Sequence, residues 1–262
     1  MKAVILAGGY GTRLSEETSI RPKPLVEIGD RPILWHLMKL LAHQGITDFV
    51  IPLGYKGFMI KEYFANYWLR ESDVTIRLGG AEGGGITVHQ PCADDWRVTL
   101  VDTGRDTMTG GRLKRIRKYL NERETFLMTY GDGLADIELN RLAEFHQAHG
   151  KLATVTAVQP AGRFGALELL EDGEVAGFAE KPRGDGGWVN GGFFLLQPEA
   201  LDGIEGDDTV FEQEPMRRLT AAGELKAYAH RGFWQPMDTL RDQKLLEAMW
   251  ANGKAPWKRW SP

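Results

Sequence analysis

Apolar and polar positions along this chain alternate between short β-type runs and longer segments with helical spacing. The short runs predict strands at Val4–Ala7, Phe49–Leu53, Val74–Leu78, Val98–Val101, Phe126–Tyr130, Ala153–Val158 and Leu225–Ala229. Apolar residues three and four apart predict helices at Ile33–Gln44, Phe58–Leu69, Leu113–Leu120, Leu139–His149, Val210–Ala222 and Thr239–Trp250. Strands that alternate with helices favour a mostly parallel sheet covered on both faces.

Glycines indicate where several of these predicted elements end. Gly45 follows the first helix and is its expected C-terminal cap. The pair Asp172-Gly173 predicts a hairpin between Leu167–Leu170 and Val175–Phe178. The segment Gly79–Gly85 predicts a flexible loop or a hairpin tip. No linker divides the chain, so we expect one domain, with an N-terminal half to about residue 150 and a C-terminal half over residues 151–262.

Composition narrows the class of protein. The 262 residues are 42% hydrophobic, which suits a globular core, and the formal net charge of −4 argues against a general nucleic-acid binder. The single cysteine, Cys92, excludes an internal disulfide framework. No apolar run approaches the roughly 20 residues that span a bilayer, and the N-terminus reaches glycines too soon for a signal peptide, so we predict no membrane partner and a cytoplasmic location. Five of the eight tryptophans lie in the last third, which indicates either partly exposed aromatic contacts or ordinary core packing.

The first strand runs directly into the most informative stretch of the chain. It reads Leu6-Ala7-Gly8-Gly9-Tyr10-Gly11-Thr12-Arg13-Leu14, and a lysine between two prolines, Pro22-Lys23-Pro24, follows. Glycine lets backbone N–H groups approach a polyanion, and Arg and Lys add positive charge. The stretch therefore predicts a nucleotide phosphate site. The alternative is a plain strand-to-helix turn.

Two commoner glycine loops do not fit this stretch. A P-loop requires Gly-Lys followed by Ser or Thr after four intervening residues, and that pattern does not occur. A dinucleotide fingerprint requires a third glycine where this chain has Leu14. A nicotinamide oxidoreductase and a non-catalytic nucleotide-binding protein nevertheless stay as alternatives.

Two aspartates are candidates for metal binding. Asp132 lies between Gly131 and Gly133 at the end of a predicted strand, where open α/β sheets bind ligands. A carboxylate there could hold Mg²⁺ on substrate phosphates, or could simply serve a turn. Asp238 precedes Thr239 at the start of a predicted helix, and from these residues alone a helix N-cap is favoured over a metal ligand.

The glycine stretch and Pro22-Lys23-Pro24 resemble the signature of sugar-1-phosphate nucleotidylyltransferases. Further segments resemble the branch of that family that uses CTP and glucose 1-phosphate, and together they cover essentially the whole chain: Ser15–Thr18, Gly54–Gly57, Lys61–Tyr67, Val101–Gly104, Met108–Arg115 and Phe233–Thr239. The resemblance implies a Rossmann-like three-layer α/β/α sandwich with a mixed, mostly parallel sheet. It also implies a nucleotide-binding N-terminal half and a sugar-binding C-terminal half.

The resemblance further implies transfer of a cytidylyl group from CTP to α-D-glucose 1-phosphate, with thymidylyl or uridylyl transfer as the alternatives. It implies catalytic roles for Arg13, Lys23, Asp132 and Lys181, and Mg²⁺ on Asp132 and Asp238. Nucleotide and substrate contacts are implied for Leu6, Ala7, Gly8, Gly9, Tyr10, Gly11, Thr12, Arg13, Lys23, Thr107, Arg112, Gly131, Lys181 and Asn190. Arg115 and Arg117 are expected to form a solvated basic face. The family forms homo-oligomers, and its product commonly feeds deoxysugar synthesis for bacterial surface polysaccharide.

Overall fold

The computed structural model describes residues 1–79, 84–90, 94–160, 166–170, 174–179 and 187–260, apart from the side chains of residues 13, 15, 16, 166–169, 178 and 179. Its strands are β1 (Ala3–Leu6), β2 (Glu27–Ile28), β3 (Arg31–Pro32), β4 (Asp48–Leu53), β5 (Val74–Arg77), β6 (Gly85–Val88), β7 (Arg97–Asp102), β8 (Phe126–Tyr130), β9 (Gly133–Ala135), β10 (Ala153–Val158), β11 (Ala166–Leu169), β12 (Val175–Ala179), β13 (Val189–Leu196), β14 (Leu225–His230) and β15 (Trp234–Pro236). Its α-helices are α1 (Ser15–Thr18), α2 (Ile33–His43), α3 (Gly57–Ala65), α4 (Tyr67–Glu71), α5 (Thr109–Ile116), α6 (Leu139–His149), α7 (Glu214–Ala221) and α8 (Leu240–Ala251). Among the described residues, no helix is both long and apolar enough to cross a membrane.

A seven-stranded sheet in the order β14-β10-β13-β8-β1-β4-β7 organises the molecule. Strand β13 runs antiparallel to both of its neighbours, whereas the other neighbouring pairs are parallel. The predicted mixed, mostly parallel sheet is therefore confirmed. Because β1 and β8 are parallel and pair Leu6 with Tyr130, the chain segments that follow these two strands emerge side by side.

Alternation along β1 distributes its side chains between two cores on opposite faces of the sheet. Ala3 and Ile5 belong to one core, which also contains buried residues of α2, α6 and α8. Val4 and Leu6 belong to the other, with buried residues of α5 and α7. Successive strand residues point to opposite faces, so a strand that is apolar at every position must be covered on both sides. The result is the expected three-layer α/β/α sandwich.

Most predicted elements lie within a few residues of the observed ones. The predicted helix at Phe58–Leu69 is two helices, α3 and α4, that meet at Asn66. Gly45 follows α2 with a φ of +89°, as a C-terminal cap requires. Both ends of the predicted glycine-rich hairpin pair as β5 and β6, whereas residues 80–83 lie outside the described residues, as does Asp172-Gly173 between β11 and β12.

Strand β13 is absent from the sequence-based prediction. Its Asn190-Gly191-Gly192 looks unlike a central strand because glycine weakens strands. The structure gives each glycine a reason. A Cβ on Gly191 would lie 2.9 Å from the carbonyl oxygen of Thr156, and a Cβ on Gly192 would lie 2.8 Å from the ring of Tyr130. The pairing register with β10 also shifts between Val155 and Ala157, so a bulge accompanies these close approaches.

The C-terminal tryptophans are largely core residues. Trp257 is fully buried and stacks with Phe233 and Trp250, and its indole N–H reaches Nδ1 of His36 at 3.4 Å. The core-packing interpretation is therefore confirmed for Trp257, whereas Trp188 is exposed. An indole with a hydrogen-bond partner for its N–H is readily buried.

Candidate active site

The glycine stretch forms one wall of a deep cavity at the end of β1. After Leu6 the chain passes through Gly8, Gly9 and Gly11 into a short 3₁₀ turn at Thr12–Leu14. Gly11 has a φ of +66°, a conformation that glycine adopts at little cost. A Cβ on Gly9 would meet no atom within 4 Å, so this part of the loop is open to a ligand.

The buried guanidinium of Arg112 holds this glycine loop in place by hydrogen bonds to backbone groups. It donates to the carbonyl oxygens of Gly8 (3.0 Å), Leu53 (2.9 Å), Gly104 (2.8 Å) and Arg105 (3.1 Å) and to the hydroxyl of Thr103 (2.7 Å). A Cβ on Gly8 would collide with this guanidinium, and so would a Cβ on Gly54. Burial lowers the pKa of Arg112, but an arginine keeps its charge in proteins. The described contacts thus give Arg112 a structural role in holding the loop, and the predicted nucleotide contact stays a prediction.

Lys23 also lines the cavity, in a 3₁₀ turn at Lys23–Leu25 that packs beside Gly11. Pro22 is held at a φ of −66° and Pro24 occupies the turn itself, so the flanking prolines fix the backbone that carries the lysine. Its ammonium nitrogen lies 2.7 Å from Oδ2 of Asp132 and 2.7 Å from Oδ1 of Asp238. The side chain of Lys23 is only 7% exposed. A buried ammonium therefore joins the two predicted metal ligands.

A small two-stranded sheet brings these aspartates together. Strand β9 follows Asp132 and strand β15 precedes Asp238, and the two strands pair Gly133 with Pro236. The amide of Met237 also donates to the carbonyl oxygen of Asp132 at 2.8 Å. Each strand has only three residues. Such short strands leave little signal in the sequence, so the meeting of the two aspartates is implied by the family resemblance and not by the residue pattern.

Thr239, rather than Asp238, caps helix α8. Its hydroxyl accepts from the amide of Asp242 at 3.3 Å, and the carboxylate of Asp242 accepts from the amide of Thr239 at 2.8 Å. This reciprocal pair is a capping box. The N-cap interpretation of Asp238 is therefore wrong, because the next residue fills that position and leaves the Asp238 carboxylate to contact Lys23.

The two carboxylates fit a magnesium ion that shares its coordination with a substrate. Both oxygens contact the same nitrogen, so they lie no farther apart than twice 2.7 Å. Within the described part of the chain, no group of three or more His, Cys, Asp and Glu side chains could hold a metal ion. Mg²⁺ is commonly held by one or two carboxylates, with phosphate oxygens and water completing its octahedron. Asp132 and Asp238 match that mode.

The cavity has a volume of about 440 Å³ and gathers most of the predicted site residues. Those that line it are Leu6, Ala7, Gly8, Gly9, Tyr10, Gly11, Thr12, Lys23, Thr107, Arg112, Gly131 and Asp132. Asn190 lies beside it, exposed at the start of β13, with its amide nitrogen 3.4 Å from the hydroxyl oxygen of Tyr130. Lys181 and the side chain of Arg13 lie outside the described residues. Arg115 and Arg117 are exposed and pair with Asp207 and Asp202, as expected for a solvated face.

Comparison with known proteins identifies the family. Residues 2–250 match the model of the nucleotidyl transferase family. The chain belongs to the nucleotidyl transferase family. It is 58% identical over 260 residues to the glucose-1-phosphate cytidylyltransferase of Salmonella typhi, with 99% of this chain and 100% of that protein aligned. It is 45% identical to the probable glucose-1-phosphate cytidylyltransferase of Bacillus subtilis over 99% of this chain and 100% of that protein.

The fold is also that of solved structures. The crystal structure of HddC from Yersinia pseudotuberculosis superposes with a TM-score of 0.69 at 24% sequence identity, covering 95% of this chain and 99% of that one. At this identity the likeness concerns the fold alone, and it agrees with the three-layer sandwich described above. Membership of the nucleotidyl transferase family does not favour the oxidoreductase alternative.

Several polar groups at this nucleotidyl transferase site lie outside the residues predicted from the sequence. Tyr10 donates to the carboxylate of Asp106, and both residues line the cavity. The guanidinium of Arg105 lies 5.6 Å from the centre of the Tyr10 ring and 5.7 Å from that of Tyr55. Tyr130, two residues before Asp132, donates to Glu212. Glu212 lies in no motif, so only the position of its partner Tyr130, next to Gly131 and Asp132, could have drawn attention to it. Asp106 directly precedes the predicted contact Thr107.

Proposed function

We propose that this nucleotidyl transferase transfers a cytidylyl group from CTP to α-D-glucose 1-phosphate and gives CDP-glucose and pyrophosphate. The observation that carries the proposal is the position of Lys23 between Asp132 and Asp238, at the end of a cavity whose wall is a glycine loop. The 58% identity to the cytidylyltransferase of Salmonella typhi over almost the whole chain supports this choice of substrates over thymidylyl or uridylyl transfer.

The chemistry requires no nucleophile from the protein. A phosphate oxygen of the sugar phosphate attacks the α-phosphorus of CTP, a new P–O bond forms, and the bond to the β-phosphate oxygen breaks with pyrophosphate as leaving group. Both substrates are polyanions, so the task of the protein is to align them and to stabilise negative charge. The residues of the cavity that can do this are the amides of Gly8, Gly9 and Gly11, the hydroxyl of Thr12 and the ammonium of Lys23.

Lys23 would act closest to the reacting centre. In the free protein its charge is balanced by two carboxylates, and an arriving phosphate would compete for the same ammonium. Arg13 is proposed to offset charge on the departing pyrophosphate and Lys181 to orient the sugar phosphate; these two roles rest on the family resemblance. Asp132 and Asp238 would hold Mg²⁺, which neutralises phosphate charge when bound.

The wider setting of the reaction is part of the proposal. A nucleoside triphosphate and a sugar phosphate are metabolites of the cytoplasm, which supports a cytoplasmic enzyme. CDP-glucose would feed deoxysugar synthesis for bacterial surface polysaccharide, as in the family, and a homo-oligomer is the expected assembly. No nucleic acid or membrane partner is proposed.

Pyrophosphate release tests the substrates. The chain is incubated with glucose 1-phosphate, Mg²⁺ and each of CTP, UTP, dTTP, ATP and GTP in turn. We expect the highest kcat/KM with CTP and a CDP-glucose product. Asp132→Asn should lower turnover by several orders of magnitude, whereas Asp202→Asn, on an exposed partner of Arg117, should leave it unchanged. A higher kcat/KM with UTP or dTTP would contradict the choice of CTP, and normal turnover by Asp132→Asn would contradict the role of that carboxylate.

A further inference from the structure

Glu212 is the centre of a hydrogen-bond network beside the cavity. The phenol of Tyr130 donates to its Oε1 at 2.5 Å, and the hydroxyl of Thr109 donates to its Oε2 at 2.5 Å. Thr109 in turn accepts from the amide of Phe211 at 2.9 Å. Tyr130 and Thr109 both line the cavity, and Glu212 is half-buried. One oxygen of the Glu212 carboxylate thus accepts a hydrogen bond from Thr109, and the other accepts one from Tyr130.

This arrangement fixes the direction of the hydrogen bonds at Tyr130. A phenol has one proton to donate, and an ionised carboxylate only accepts. Because Tyr130 gives that proton to Glu212, its oxygen can only accept from any other partner.

The remaining partner of that oxygen is the exposed amide of Asn190. The amide nitrogen lies 3.4 Å from the Tyr130 oxygen, at the long limit of a hydrogen bond. The other end of the Asn190 amide is already committed, because its oxygen accepts from the amide of Gly192 at 2.8 Å. An acceptor, the Tyr130 oxygen, and a donor, the Asn190 nitrogen, therefore lie side by side at the edge of the cavity.

The backbone holds the Tyr130 ring in this place. Gly192 has a φ of +80°, and a Cβ there would lie 2.8 Å from the ring. The ring of Tyr130 also packs edge-to-face with that of Phe194, with ring centres 6.3 Å apart. An oxygen fixed by its ring, with a neighbouring amide fixed by Gly192, is a preorganised pair.

We propose that Tyr130 and Asn190 bind one hydroxyl group of the hexosyl substrate, and that Glu212 is the positioning residue that makes the Tyr130 oxygen an acceptor. The sugar hydroxyl would donate to Tyr130 and accept from Asn190. A hydroxyl can do both, and it would replace the long contact between the two side chains with two hydrogen bonds of ordinary length. The inference rests on the proposed function and deepens it, because it adds Tyr130 and Glu212 to the predicted substrate contact Asn190 and gives the three residues a role in sugar selectivity.

Singly deoxyfluorinated glucose 1-phosphates test the proposal. Fluorine replaces a hydroxyl with a group that cannot donate a hydrogen bond. We expect the unmodified chain to use one of these analogues about 10-fold less well than the others in kcat/KM, since a lost hydrogen bond to a buried acceptor has that effect. Tyr130→Phe should use all the analogues equally to within about 2-fold and should raise KM for glucose 1-phosphate about 10-fold, with KM for CTP unchanged.

Glu212→Gln tests whether Glu212 acts by orienting the hydrogen bond of Tyr130 or only by stabilising the fold. The glutamine amide can donate to the Tyr130 oxygen, which frees the phenol proton and removes the imposed polarity. It should therefore reproduce the loss of discrimination seen with Tyr130→Phe at an unchanged melting temperature. Glu214→Gln is the matched control, since Glu214 is exposed and pairs with Arg218. It should keep the discrimination of the unmodified chain.

The outcomes distinguish this inference from the proposed function. If the unmodified chain makes CDP-glucose but Tyr130→Phe and Glu212→Gln keep its analogue profile, the inference is wrong and the proposed function stands. An equal rise in KM for CTP and for glucose 1-phosphate would also overturn it, because that result indicates a general distortion. If the unmodified chain has no turnover with CTP and glucose 1-phosphate, both are wrong.

Discussion

The ammonium group of Lys23 donates to Oδ1 of Asp238 at 2.7 Å, although 215 residues separate the two in the chain. The same group donates to Asp132, so one positive charge is shared by two carboxylates. The three side chains together carry one net negative charge in a largely buried setting. Such a site allows an exchange of partners. A divalent cation can bind the two carboxylates when the Lys23 ammonium moves its hydrogen bonds to a substrate phosphate.

Lys23→Ala should bind Mg²⁺ more tightly than the unmodified chain in the absence of nucleotide. The ammonium competes with the cation for Asp132 and Asp238, so its removal should raise the affinity about 10-fold, which corresponds to about 1.4 kcal/mol. Turnover should nevertheless fall by several orders of magnitude, because the charge that stabilises the phosphates is lost. Calorimetric titration with Mg²⁺ measures the first effect, and pyrophosphate release measures the second.

Lys39→Ala is the control for that experiment. Lys39 pairs with Asp94 at 2.8 Å and does not line the cavity, so this variant should leave both Mg²⁺ affinity and turnover unchanged. Weaker Mg²⁺ binding by Lys23→Ala than by the unmodified chain would show that the carboxylates do not form the cation site.

Asp238→Asn and Thr239→Ala should affect different properties: the first should lower turnover and the second should lower stability. Thr239 caps α8, so its removal should lower the free energy of unfolding by about 1 kcal/mol with kcat unchanged. The Asp238 carboxylate contacts Lys23, and the N-cap position belongs to Thr239, so Asp238→Asn should abolish most of the turnover while the cap persists. Urea unfolding and initial rates on both variants check this. A stability loss in Asp238→Asn equal to that of Thr239→Ala, with turnover kept, would restore the cap interpretation.

The sequence was a good guide to the parts of the site that are local. Glycines after a buried strand and a lysine between prolines predict a phosphate-binding wall, and the cavity is lined by those residues. The residues whose placement depends on long-range pairing were not predictable in the same way. Asp238 meets Asp132 only because β9 and β15 pair, and Glu212 reaches Tyr130 from a segment with no motif.

Glycine had two meanings that the sequence could not separate. In the loop after β1, glycines mark an irregular turn, as predicted. In β13, Gly191 and Gly192 lie within a central strand, where close packing against Thr156 and Tyr130 excludes a side chain. A glycine in the sequence can indicate that a side chain does not fit at that position. Which neighbouring residue excludes the side chain is known only from the fold.

Gly8→Ala and Gly9→Ala should differ although the two glycines are adjacent. A methyl group on Gly8 would enter the space of the Arg112 guanidinium, whereas one on Gly9 would meet nothing within 4 Å. Displacing Arg112 disturbs the five hydrogen bonds described above, so we expect Gly8→Ala to lower the free energy of unfolding by about 1–3 kcal/mol. Gly9→Ala should change it by less than about 0.5 kcal/mol. Equal unfolding midpoints in urea would contradict the bracing role of Arg112.

Acid should weaken the fold through His36. This histidine donates from Nε2 to the carbonyl oxygen of Ile28 at 2.7 Å and lies edge-on to Trp250 with ring centres 4.5 Å apart. Burial lowers its pKa from 6.5 to about 4. Its folded-state pKa is below its unfolded value, so the unfolded chain binds more protons between these two pH values. The stability it contributes is complete above pH 6.5 and is lost as the pH falls toward 4.

The expected loss is about 3 kcal/mol between neutral pH and pH 4, from a shift of that size at 1.36 kcal/mol per pKa unit. Urea unfolding at a series of pH values measures it, and His36→Gln should flatten the curve over this window even though it lowers stability at neutral pH. Some slope should persist, because burial also lowers the pKa of His146 to about 4. His43→Gln, at an exposed position, should keep the full slope. If His36→Gln and His43→Gln have the same pH dependence, His36 is not the group that titrates.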